Sequence, residues 1–215
     1  MTLWQGGAWL LWLVLLLWFF PRELVPKLRT DAGYQHLLFG SVLIIGLLWL
    51  VRAGIEPGLE LHLLGITTLV LCHGWRITWL IGSLAIGMLV ALGKVTLVDA
   101  GSVAVLTVML PAVFSYLIFI LSYQYLPRHL FIYIFVAGFA SAALTITLKI
   151  VLTSLWFYWQ GLHSWASIYQ NYLQLALLIW FAEALLNGMA ITLMSVYRPH
   201  WLRTFYDNEY LSPDR

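Results

Sequence analysis

Hydrophobic positions in this chain fall into long, nearly unbroken runs, and neither strand-like alternation nor the three-and-four spacing of a soluble helix dominates. A bilayer hydrocarbon core is about 30 Å thick, so a spanning helix takes roughly 20 mostly apolar residues bounded by charge, proline or aromatic anchors. Seven such runs are predicted. They cover about Leu3 to Phe20, His36 to Val51, Leu61 to Trp75, Ile77 to Leu92, Ser102 to Leu126 around Pro111, His129 to Trp156, and Tyr172 to Tyr197. Gly74 and Arg76 divide the third from the fourth, which predicts a tight helical hairpin with a very short turn. Trp4, Trp49, Trp75, Trp156, Trp165 and Tyr197 lie near run ends and read as an interfacial aromatic belt.

Composition agrees with lipid as the solvent. Of 215 residues 62% are apolar and 9% charged, against about 25% charged in a soluble domain, and the mean hydropathy is +0.90. The expected fold class is therefore an all-α integral membrane protein, about seven transmembrane helices in one bundle over residues 1–202, with a short tail over 203–215. The formal net charge of +2 shows no basic stripe and predicts no nucleic-acid partner. The single cysteine, Cys72, forms no intramolecular disulfide. Without Lys or Arg before the first run, residues 3–20 read as a retained span and not as a cleaved signal.

Basic residues set the orientation. With the N-terminus outside, the inner segments hold Arg22, Lys27, Arg29, Arg76, Arg128, Arg198, Arg203 and Arg215, while the outer segments hold Arg52 and Lys94. Lys149, inside the sixth run, completes the eleven. This predicts an odd number of spans, a cytoplasmic C-terminus and a multi-pass place in the cell membrane.

Polar groups at membrane depth are costly, roughly 2.5–3.5 kcal/mol at a helix centre, so each one raises a question of function. Lys149 and Glu183 differ in predicted depth by about 6 Å, so an ion pair between them is expected. It either ties two helices together or lines a substrate path. Glu183 and Asn187 share a helix face by their i, i+4 spacing. No carboxylate pair for water activation, nucleophile elbow, phosphate loop or zinc-protease motif is present, so an enzyme is not expected. The outer loops and helix ends collect Glu56, Glu60, His62, Asp99 and His163, donors that suit nickel, cobalt, copper or zinc. His73 sits eleven residues beyond His62, at the inner end of the same run. His62 reads either as a metal ligand helped by Glu60 or Asp99, or as an interfacial hydrogen-bonding imidazole.

The stretch Gly-Leu-Glu-Leu-His-Leu-Leu-Gly-Ile-Thr-Thr from Gly58, followed by an apolar run, His73-Gly74-Trp75-Arg76 and a second small-residue helix to Met88, resembles the CbiM/NikM family. Those proteins are the cobalt- and nickel-specific membrane components of energy-coupling factor transporters. His62, Gly65, Thr67 and Gly74-Trp75 match the family pattern. Asn187-Gly188 and Arg198-Pro199-His200-Trp201-Leu202 look like its last helix and exit, so the resemblance spans residues 36–202. It implies a permease or substrate-binding component for transition metal ion transport, with the metal as substrate and no firm cofactor. It also implies a coupling transmembrane subunit and ATPases as partners, since no phosphate loop is encoded here. Two positions depart from the pattern. The family carries His at position two, where its imidazole and the terminal amine wrap the metal, and here that position is Thr2. It commonly carries Glu before the glycine of the last helix, and here that is Asn187, with Glu183 one turn earlier. The alternative from another class is a scaffold or assembly factor whose polar residues only hold helices together.

Overall fold

The structure is a computed structural model that describes residues 2–54, 56 and 58–211. Residues 1, 55, 57 and 212–215, including the expected inner Arg215, lie outside the described residues. The described chain is helical: α1 (Leu3–Trp18), α2 (Leu24–Thr30), α3 (Ala32–Leu50), α4 (Ile66–His73), α5 (Trp75–Ala91), α6 (Ala100–Tyr125), α7 (Leu130–Trp159), α8 (Trp165–Tyr197) and α9 (Asp207–Tyr210). Helices α3, α6, α7 and α8 are long and apolar enough to cross a membrane, and α1 and α5 are shorter apolar helices of 16 and 17 residues.

Local sequence accounts for the boundaries. Thr2 and Gln5 form a reciprocal capping box at the start of α1, and the Asp31 carboxylate accepts the Tyr34 amide at the start of α3. Between α4 and α5 the turn is Gly74 alone, held at φ +81°, as the predicted hairpin requires. Pro111 cannot donate an amide, and α6 widens into a π-helical stretch over Ala104–Met109 just before it. Helix α8 breaks at Tyr172, where the backbone leaves helical geometry before a tight turn over Leu173–Leu175.

The third predicted span is corrected. Only Ile66–His73 is helical, and the residues before it are a non-helical strap. Ala53 and Leu61 exchange both backbone hydrogen bonds, at 2.9 and 2.7 Å, and the chain then runs inward, with Leu59 and Leu64 fully buried. Gly65 turns it into α4 at φ +65°, a conformation that a residue with a Cβ rarely adopts. Irregular backbone at such depth survives only where protein satisfies its amides and carbonyls. The inner part of the strap, with Leu59, Leu61 and Leu64 buried, therefore sits among helices, and α4 is the centre of the bundle: Ile66, Thr67, Val70, Leu71 and His73 are all 0% exposed.

Small residues set the spacing of the other helices. A Cβ on Gly101 would lie 2.8 Å from the backbone N and Cα of Trp9, so α1 touches α6 backbone to backbone there. Large apolar side chains such as Leu43, Ile44, Leu177 and Leu178 point outward instead, where lipid covers them. At the end of the bundle below α4, residues 203–210 fold back onto the helices. Thr204 donates its amide and hydroxyl to the Leu71 carbonyl at 3.3 and 3.0 Å, and Arg203 reaches the carbonyls of Cys72 and His73. These bonds satisfy the carbonyls that the end of a helix leaves open. Phe205 stacks on Tyr210 and both lean on Tyr133.

Candidate metal site

At the opposite end of the bundle the strap, the start of α1, the α5–α6 connection and the end of α7 enclose a cavity of about 570 Å³. Its lining includes His62, Glu60, Asp99, His163 and Lys149, so residues spread over a hundred positions of sequence share one space. Lys149 is ten residues before the end of α7, which puts the floor about 15 Å inside the bundle.

The strap places His62. Trp49 donates its indole N–H to the Leu64 carbonyl at 3.1 Å, and its ring lies 5.7 Å from the imidazole. His62 Nδ1 is 3.1 Å from the Leu63 carbonyl. A carbonyl only accepts, so Nδ1 carries the proton and Nε2 keeps its lone pair, the arrangement of a metal-ligating histidine whose other nitrogen is fixed by a backbone oxygen.

Both carboxylates of the cavity are already engaged. Arg52 donates to Glu60 Oε2 at 2.8 Å and to the Trp49 carbonyl at 3.0 Å. Asp99 accepts from Gln5 Nε2 at 2.9 Å and from the Thr96 hydroxyl at 2.6 Å. Among the described residues no three His, Cys, Asp or Glu side chains converge to hold a metal ion, so His62, Glu60 and Asp99 share the cavity without being drawn onto one point.

The expected Lys149–Glu183 ion pair does not form. Lys149 Nζ donates to the Tyr172 hydroxyl at 2.9 Å, which the break in α8 presents to it. Glu183 serves the strap: its two oxygens accept the amides of Leu64 and Gly65 at 2.6 and 2.8 Å. Asn187 accepts the Thr68 amide and hydroxyl at 2.9 and 2.8 Å, and its own N–H group returns to Glu183 at 2.8 Å. The physical reason is the non-helical strap. Its amides lack intrahelical acceptors, and a carboxylate at the amino end of α4 also meets the positive end of the helix dipole.

Sequence reasoning missed several residues of this region. Trp49, assigned to the interfacial belt, is 1% exposed and pins the strap. Gln5, Arg52, Lys94 and Thr153 line the cavity but carry no motif that would single them out. His73, at the far end of α4, bonds Tyr34 and Ser41 through its two ring nitrogens and takes no part in the cavity.

The geometry defines a class: a helical membrane protein with a cavity at one end of its bundle, walled by a buried non-helical strap that carries a histidine with a free nitrogen. The chain belongs to the CbiM family, whose profile, described as a cobalt uptake substrate-specific transmembrane region, matches residues 2–201. No curated protein sequence matches the chain. Among solved structures, a transition metal transporter is similar at 15% identity, over 89% of this chain and 88% of that one, with a TM-score of 0.64. A truncated transition metal transporter is similar at 16% identity, over 90% of this chain and 92% of that one, with a TM-score of 0.62. At these identities the likeness is one of fold.

Proposed function

We propose that this protein is the substrate-specific membrane component of a transition metal uptake system, acting on cobalt- or nickel-like ions and working as a transport protein, not as a catalyst. Seven spanning segments, the strap with α4 counting as one, put the N-terminus outside and residues 203–215 in the cytoplasm of a cell with an inner membrane. The cavity then opens outward, toward incoming metal. His62 is the principal protein ligand, with Glu60 or Asp99 as helper, and the single observation that carries this reading is the His62 Nε2 lone pair in a cavity also lined by both carboxylates. No phosphate loop is present in the sequence, so energy comes from partners, a coupling membrane subunit and ATPases. Glu183 and Asn187 act indirectly, by fixing the strap on which His62 sits.

Protein purified in detergent and dialysed against nickel, cobalt, copper or zinc should retain metal by elemental analysis. Retention should fall at least tenfold in His62→Ala and stay unchanged in His200→Ala, which alters the far end of the bundle. Neutral imidazole is the ligating form, so retention should also weaken as the pH is lowered. Equal metal content in wild type and His62→Ala would favour a scaffold whose polar residues only join helices.

A further inference from the structure

The charge of the cavity favours a negatively charged form of the metal over a bare dication. Three cationic side chains line it, Arg52, Lys94 and Lys149, against two carboxylates, Glu60 and Asp99. Arg52 is paired with Glu60, and Asp99 is bonded to Gln5 and Thr96. Among the described residues, Lys94 and Lys149 have no carboxylate partner. Lys149 is the more telling of the two. It is 4% exposed at the floor of the cavity, and among the described residues its three N–H donors meet one acceptor, the Tyr172 hydroxyl. A buried ammonium without a counter-ion is disfavoured, so a negative group entering the cavity meets an unmatched positive charge at its floor. One turn along the same wall, Thr153 is 6% exposed and its hydroxyl has no hydrogen-bond partner.

Size points the same way. The cavity, about 570 Å³, lies within the range of small-molecule sites.

We propose that the cavity takes its metal as an anionic chelate, a divalent transition metal ion wrapped by a small polycarboxylate, with Lys149 and Lys94 holding the chelator's carboxylates and His62 Nε2 adding one bond to the metal. This rests on the metal-capture reading above and names the form in which the metal arrives. The chelator supplies most of the ligands, which accounts for a cavity without a converging set of protein donors among the described residues. The chelate's negative charge turns the two unpaired lysines from a repulsion into an attraction.

The test uses full-length purified protein, stripped of metal, with three probes: radiolabelled nickel alone, labelled citrate alone, and the equimolar nickel–citrate complex carrying both labels. Wild type should retain the two labels together, at least tenfold more tightly than nickel alone. Lys149→Met should lower affinity for the complex by about tenfold to a hundredfold, as loss of charge-assisted hydrogen bonds does, and leave affinity for free nickel unchanged or higher. Lys94→Gln alters an exposed side chain and leaves the fold intact, so it should lower affinity for the complex several-fold even where Lys149→Met fails to fold. Nickel retained equally with and without citrate, and without the citrate label, would overturn the chelate proposal and leave metal capture standing. Retention of neither nickel probe would overturn both. Citrate retained alone as tightly as the complex would show a plain anion site and would also overturn it.

Discussion

At the scale of single residues, Glu183 and Asn187 replace the hydrogen bonds that a helix would have made for the strap. Removing Glu183 leaves the amides of Leu64 and Gly65 buried without acceptors, at about 1–3 kcal/mol each. Glu183→Ala should therefore destabilise the protein by about 2–6 kcal/mol, and Asn187→Ala, which frees the Thr68 amide and hydroxyl, by a comparable amount. Because Asn187 donates to Glu183, the double variant should cost less than the sum of the two. Lys149 shares no partner with Glu183, and the effects of Lys149→Met and Glu183→Ala should add. Thermal melting in detergent reads all of these, and strict additivity for Glu183 and Asn187 would dissolve the network.

Among elements, the contact of α1 with α6 decides whether the cavity has its fourth wall. Gln5 reaches Asp99 at 2.9 Å, Trp9 donates to the Leu97 carbonyl at 3.1 Å, and Trp12 donates to Ser83 at 3.0 Å. Trp9, one of the three, is also where α1 meets the backbone of α6 at Gly101. Gly101→Ala should push α1 away, costing about 1–3 kcal/mol and weakening metal retention. Gly87→Ala, in α5 with nothing within 4 Å of the added Cβ, should be neutral or gain about 0.5–1 kcal/mol. Equal melting of the two variants would show that the close approach does not matter.

For the whole molecule, the two ends differ in chemistry. One end holds the cavity, and the other holds the folded-back residues 203–210 with the ion pairs Glu23–Arg203 and Arg128–Glu209 at 3.7 and 3.6 Å. In the orientation proposed above, the excess of Lys and Arg puts that second end on the cytoplasmic side. Reporter fusions at the two termini should therefore score on opposite sides of the membrane, and the same side for both would refute an odd number of spans.

The sequence by itself determined the solvent and the length of the main helices, because runs of twenty apolar residues and a charge content of 9% have few physical solutions outside a bilayer. It also marked the Gly74 turn and the Glu183–Asn187 face, since both are local in spacing. Hydropathy could not separate the strap from a helix: Leu61, Leu63 and Leu64 are as apolar in one form as in the other, and only the acceptors on α8, over a hundred residues away, make the non-helical form stable. For the same reason the partners of Lys149 and Trp49 lay beyond reach. Which partner a buried polar group meets depends on a break in α8 and a turn at Gly65, and those are decided by packing between distant segments.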